Sequence, residues 1–245
     1  MKIEKYRYLT NGKYKVTIDD KDYIIYEDVI LKYNILALKE IDEKKLDLYL
    51  KDNDYYEAYY LAIKYIKTKL RTPKEVRVYL LKNNYAKNII DKVILKLEAD
   101  KYLDDNVYTV SYINDQIYLK NIGPLKIKSD LEKLGIDKTI ILENLKIYTK
   151  EKQEEKIEKY IKKEIKLNKN KSEVMLKNNI LNKLINKGFY KEDILKYLDN
   201  VSIDEKDLYK KEYDKLYNKL SKKYSGKELE FKIKQKLSQK GFYNN

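Results

Sequence analysis

Apolar side chains fall largely on alternate positions through the first 26 residues and on helical positions from about residue 42 onward. Tyr6, Tyr8, Tyr14, Val16, Ile18, Ile24 and Tyr26 follow the two-residue period of a strand. Asn11-Gly12 and Asp19-Asp20 supply turn chemistry between the runs. The spacing predicts a small antiparallel sheet of three strands near residues 2–9, 13–18 and 22–26. A sheet of that size needs cover on one face, and Val29, Ile30, Ile35, Leu36, Leu38, Leu46 and Leu50 can provide it from short helical segments.

In the helical part, Leu61, Ile63, Tyr65, Ile66 and Leu70 mark a helix that ends before Thr72. Thr72-Pro73-Lys74-Glu75 then reads as a new start: Thr72 caps, Pro73 sits where a missing N–H costs nothing, and Glu75 completes a capping box. Val76, Leu80 and Leu81 form the buried stripe of this second helix. Asn84 closes it in the left-handed conformation. Ile89, Ile90, Val93, Ile94 and Leu97 mark a third helix.

This plan recurs. A leucine, three residues, a glycine or asparagine and a large apolar residue appear as Leu80…Asn84-Tyr85, Leu131…Gly135-Ile136, Leu184…Gly188-Phe189 and Leu237…Gly241-Phe242, in steps of 51, 53 and 53 residues. Gly123-Pro124 stands at the offsets of Thr72-Pro73, whereas Ser172 and Ser225 lie twelve residues before their leucine, so those helices should start one turn earlier. Ile90, Ile141 and Ile194, then Ile94, Leu145 and Leu198, repeat the third helix. The predicted fold is mostly α: tandem three-helix repeats in an elongated curved array with a small N-terminal antiparallel β segment. The expected divisions are a β-rich domain over 1–50, repeats over 51–99, 100–150 and 151–203, and a partial repeat over 204–245. The last repeat stops where its third helix should begin.

Composition narrows the chemistry. With no cysteine and no histidine, neither a disulfide, a thiolate metal site nor a histidine base is available. No Gly-x-x-x-x-Gly-Lys loop occurs, so no cofactor and no enzymatic activity is expected, although composition leaves carboxylate-only catalysis open. No stretch approaches 18 apolar residues and the opening residues are too polar for a signal peptide, which predicts a cytoplasmic protein off the membrane. The formal charge of +14 is uneven: residues 1–54 hold 11 Lys/Arg and 12 Asp/Glu, 55–99 hold 10 and 4, 100–150 hold 8 and 8, and 151–245 hold 25 and 16. Two basic stretches flanking a neutral one are the footprint of a non-specific nucleic-acid binder. A/T-rich codon usage, which favours Lys, Asn, Ile and Tyr together, is the competing explanation of the lysines.

Leu103-Asp104-Asp105, Tyr108, Tyr112-Ile113, Gly123-Pro124-Leu125-Lys126-Ile127, Leu131 and Leu134-Gly135-Ile136 together resemble the central signature of the RecX family. The likeness spans roughly residues 50–245, and the strand-rich N-terminal segment resembles that of longer members. The resemblance implies tandem three-helix repeats and a regulator of the RecA recombinase in DNA recombination, repair and the SOS response. It implies binding to RecA and to RecA-DNA filaments, with inhibited strand exchange and ATP turnover or an altered filament lifetime. The family usually carries arginine where Val107 and Gln116 stand, so any contacts those arginines make must be made differently here.

Four candidate features remain. Asp104-Asp105 could bind metal or do acid–base work, or could cap the helix opening near Val107. Gly123-Pro124 followed by Lys126 and Lys128 could hold a phosphate at a helix start, or be a plain helix start. Lys64, Lys67, Lys69, Arg71, Lys74 and Arg77 form a basic cluster in which Lys64, Lys67 and Arg71 share a helical face; it is either a partner-binding surface or a solvated one. The expected contact residues for RecA or DNA are Lys64, Lys67, Arg71, Lys74, Arg77, Lys126 and Lys128. Of the 27 tyrosines, most are read as repeat packing, with Tyr55-Tyr56 and Tyr59-Tyr60 as candidates for exposed stacking. A monomer is expected. The alternative function is a free-standing, non-specific nucleic-acid-binding protein.

Overall fold

The computed structural model of the protein describes residues 1–243. The end of the partial fourth repeat, Asn244 and Asn245, lies outside the described residues. Among those described there are three strands and twelve α-helices. Two compact units divide the chain: residues 1–109 together with 134–136, and the remainder.

The first unit opens with β1 (Ile3–Tyr8), β2 (Lys13–Ile18) and β3 (Lys21–Tyr26), an antiparallel meander in the order β1-β2-β3. Its turns run through left-handed Asn11 and Gly12, and through Asp19 and Asp20, the residue types that tolerate positive φ. Val16, Ile18 and Ile25 are buried on one face. Val29 and Ile30 of α1 (Glu27–Lys32), Ile35 of a short 3-10 turn, and Leu46 of α2 (Glu43–Ile66) cover them, with Leu36, Leu38 and Leu50 at the margin. All seven expected covering residues take part.

The helix α2 starts at Asp42, whose carboxylate accepts from the Lys45 N–H at 2.9 Å, and runs unbroken through 24 residues. The boundary expected at 50/51 therefore falls inside a helix. Its first half belongs to the core under the sheet through Leu46 and Tyr49; its second half, through Ala58 and Ala62, belongs to the core of the first repeat. Asn53 joins the two. Its side chain accepts from the Tyr26 N–H (2.8 Å) and donates to the Ile24 carbonyl (3.0 Å), satisfying edge groups of β3 that would otherwise lose water without a partner.

α3 (Pro73–Lys82) carries the full capping box between Thr72 and Glu75, worth about 1 kcal/mol. Asn84 closes it at φ 65°. α4 (Lys87–Ala99) buries Ile90, Val93, Ile94 and Leu97. Two expectations fail here: Leu70 and Leu81 are exposed. The helix ends at Ile66, before Leu70, and the α3 stripe is the narrower Val76 and Leu80 pair. Ala58 and Ala62 do the packing instead, since a side chain of one carbon lets helices approach closely.

The repeats continue through α5 (Asp105–Leu119), α6 (Pro124–Lys133), α7 (Lys138–Asn144), α8 (Lys150–Leu167), α9 (Glu173–Asn186), α10 (Lys191–Leu198), α11 (Lys206–Leu220) and α12 (Gly226–Gln239). Ser172 caps α9 and α12 begins after Ser225, one turn early as expected. The Ser172 hydroxyl accepts from Met175 N–H, whereas Ser225 makes no side-chain cap bond. Ile141 and Ile194 are fully buried at the repeat positions, and Leu145 is half-buried.

One joint recurs three times. The Thr72 hydroxyl donates to the Leu134 carbonyl (3.1 Å). The N–H groups of Gly123 and Leu125 donate to the carbonyls of Lys187 (2.7 Å) and Gly188 (3.0 Å). The Ser172 hydroxyl donates to the Lys240 carbonyl (2.5 Å). In each case the start of a repeat's second helix grips the turn that ends the next repeat's second helix. Gly188 and Gly241 leave no room for a side chain against Lys126 and Ser172, Gly135 leaves only a tight fit at 3.0 Å from the Lys74 side chain, and all three are at positive φ. Asn84 stands exposed at the matching place in the first repeat, where its side chain costs nothing.

Candidate nucleic-acid interface

The basic cluster is not one surface. Lys64 and Lys67 are exposed on the last turns of α2 and pair with no carboxylate among the described residues. Arg71 does not project beside them. Its side chain is only 14% exposed: the guanidinium lies 3.8 Å from the centre of the Tyr65 ring, and its Nη1 bonds Glu75 at 3.3 Å. Tyr65 in turn stacks on Tyr79 at 4.0 Å. Arginine's flat face and fork suit this use, and by holding Glu75 it braces the capping box. Arg77 pairs with Asp91 and ties α3 to α4. The Lys74 side chain packs against Gly135.

The second expected phosphate site is closed. Both Gly123 and Pro124 are buried, and the Gly123 and Leu125 amides are spent on the Gly188 turn, so this helix start offers those amides to no phosphate. Lys126 pairs with Asp130 at 3.0 Å, and Lys128 is half-buried on the same helix. Asp104 behaves as a cap: its carboxylate accepts from the N–H groups of Asn106 (2.9 Å) and Val107 (3.1 Å). Burial and the nearby Glu98 and Asp104 push the Asp105 carboxyl above the ordinary carboxylate range. Among the described residues no group of three carboxylates could hold a metal ion. Gln116 is 5% exposed, while Val107 is exposed.

What remains is a cleft of about 600 Å³ within the first unit, where the far end of α2 meets the sheet. Its lining includes Lys64 and Lys67 from the end of α2, Lys13 of β2, and Tyr26, Tyr60 and Tyr85. Lys13 Nζ sits 4.7 Å from the centre of the Tyr26 ring, and Tyr60 stacks on Tyr26 at 5.2 Å. Tyr60 is 41% exposed and its hydroxyl donates to Asp28 at 2.8 Å. Burial and that bond push its pKa up to about 12, so the ring stays neutral. Glu57 is the carboxylate in this lining. The arrangement presents three cations and an accessible aromatic face, chemistry suited to a nucleic-acid strand.

Tyr55, Tyr56 and Tyr59 are half-buried and pack on the two cores; the Tyr59 hydroxyl donates to Asp100. Of the four candidate stacking tyrosines Tyr60 is the most exposed, while Tyr55 and Tyr56 line a second cleft of about 680 Å³ with Lys32, Lys51, Asp52 and Lys92. Sequence reasoning missed Lys13, although strand alternation already placed it opposite in parity to the buried Val16.

The family model described as RecX, first three-helix domain, matches residues 58–97. A protein of Bacillus cytotoxicus named Regulatory protein RecX is 31% identical over 242 residues, covering 95% of this chain and 90% of that protein. One of Bacillus cereus with the same name is 33% identical over 229 residues, covering 91% of this chain and 84% of that protein. A crystal structure described as regulatory protein RecX is similar over 81% of this chain and 99% of its own, with a TM-score of 0.71 and 24% identity. That of RecX from Lactobacillus salivarius is similar over 61% of this chain and 99% of its own, with a TM-score of 0.56 and 30% identity. No described helix is long and apolar enough to cross a membrane.

Proposed function

Because the chain belongs to the RecX family, a family of regulatory proteins, we propose that it regulates the RecA recombinase by binding RecA and RecA-DNA filaments in the cytoplasm, lowering recombinase and ATPase activity. Family membership over nine-tenths of the chain is the observation that carries this reading. The cleft adds a physical means. Lys13, Lys64 and Lys67 are positioned to neutralise phosphates of filament DNA, and each neutralised phosphate on a single strand adds about 0.7 to the steepness with which affinity falls with salt. In this reading Arg71, Arg77, Lys74 and Lys126 act through the fold.

The test is RecA ATPase on single-stranded DNA titrated with the protein and with Lys64→Ala/Lys67→Ala. Wild type should lower turnover, and the double variant should need several-fold more protein for the same effect. Unchanged turnover at every ratio of wild type would refute the reading.

The unpaired lysines favour one second reading, a free-standing non-specific nucleic-acid binder, since they need no RecA to attract a phosphate backbone. Equal affinity for bare and RecA-coated DNA would decide for it.

A further inference from the structure

By residue count the N-terminal segment is not basic, yet the strand register sorts its charges onto one face. Lys5 stands opposite Thr17 and Arg7 opposite Lys15 across β1 and β2; Thr17, Lys15 and Lys13 stand opposite Asp22, Ile24 and Tyr26 across β2 and β3. Directly paired residues share a face. Val16 and Ile18, of the other parity in β2, are buried in the core, so Lys5, Arg7, Lys13 and Lys15 project from the opposite side. Lys5 and Arg7 are exposed. Asp22 is the carboxylate in register with them; it pairs with Lys15 at 2.6 Å and accepts from the Thr17 hydroxyl at 2.8 Å. Ile24, in the row of Arg7 and Lys15, is exposed. Lys13, the last of the set, already lines the cleft with Lys64 and Lys67.

We propose that the outer face of this sheet is the other half of the nucleic-acid site: Lys5, Arg7 and Lys13 hold phosphates of one DNA strand that continues into the cleft beside Lys64, Lys67 and Tyr60, while Lys15 in the same row is held by Asp22. Six cations face three carboxylates along this path, Asp22, Glu57 and the Asp28 that accepts from the Tyr60 hydroxyl, a surface complementary to a polyanion. Same-face neighbours on a strand are about 7 Å apart, comparable to successive phosphates along a single strand. Ile24 and Tyr60 give apolar and aromatic faces for sugars and bases, which an acidic peptide would not use. The inference rests on the DNA-facing reading of the cleft and assigns a role to the segment that precedes the helical repeats.

The test is anisotropy of a fluorescein-labelled oligothymidine with the full-length protein across a range of salt. Lys5→Ala/Arg7→Ala should make the dependence of log affinity on log salt shallower by about 1.4, two phosphates' worth. Asp22→Asn, which frees Lys15, should make it steeper by about 0.7; a gain cannot come from misfolding. Slopes equal to wild type in both variants, no binding by wild type, or equal competition from polyglutamate of matched charge would each overturn the proposal. If Lys64→Ala/Lys67→Ala flattens the slope and Lys5→Ala/Arg7→Ala does not, the sheet surface falls and the cleft stands. If the slopes change as expected while RecA ATPase is untouched, the regulatory reading falls and the DNA surface stands.

Discussion

Gly188 lies so close to Lys126 that a methyl group on it would stand 2.3 Å from the Lys126 backbone nitrogen and 2.4 Å from its Cβ. Gly188 also has φ +86°, so a side chain there meets strain and backbone at once. Gly188→Ala is expected to cost about 3 kcal/mol or more, read as a lower midpoint in urea. Asn84, the same position in the first repeat, has φ 65° and an exposed side chain. Asn84→Gly should change stability by less than about 0.5 kcal/mol, and Gly188→Asn should be as harmful as the alanine variant. Equal tolerance at the two positions would contradict the joint.

Asn53 satisfies two backbone groups of β3 from inside a helix. Asn53→Leu keeps the volume but leaves the Tyr26 N–H and the Ile24 carbonyl without that partner. A loss of about 2 kcal/mol is expected. Asn53→Asp keeps an acceptor for Tyr26 but sets a buried negative charge against the Ile24 carbonyl, so at pH 7 its urea midpoint should fall at least as far as that of the leucine variant.

Arg71 is packed between Tyr65 and Glu75. Arg71→Ala is expected to lower stability by about 1 kcal/mol through the lost stack and the loosened cap, with the salt dependence of DNA binding unchanged. Lys64→Ala/Lys67→Ala should do the reverse. A variant at Arg71 that keeps its stability but flattens the salt dependence would return this residue to the binding surface.

The Asp105 carboxyl has a buried oxygen without a hydrogen-bond partner, and its pKa is raised from 3.8, first by burial and then by Glu98 and Asp104. A carboxyl with a raised folded-state pKa favours folding below its unfolded value, and that contribution disappears as the pH climbs through the folded value. At neutral pH the charged form opposes folding. Asp105→Asn should therefore be more stable than wild type at pH 7, with the advantage shrinking as the pH falls towards 3.8. Urea midpoints at the two pH values check this; a difference independent of pH would show that the charge is not the cause.

The sequence by itself determined the elements and their order. Three strands, the Thr72 capping box, the left-handed closures at Asn84, Gly135, Gly188 and Gly241, and the early start after Ser172 are all consequences of neighbours within a few residues, where period and turn chemistry act directly. It also carried the family through the residues around Gly123-Pro124. The site was legible only in part, because whether a cation is free depends on partners far along the chain. Arg71 and Lys64 look alike in a list of charges, yet Tyr65 and Glu75 take up one while no carboxylate among the described residues takes up the other. Small residues such as Ala58 and Ala62 carry little periodic signal and emerged only when helices packed on them. Tertiary structure alone decided that Lys13 faces Lys64 and Lys67, and that the start of α6 is covered by Gly188 before any phosphate could reach its first amides. Local sequence sets backbone conformation; electrostatic availability is set by which side chains the fold brings within a few ångströms of each charge.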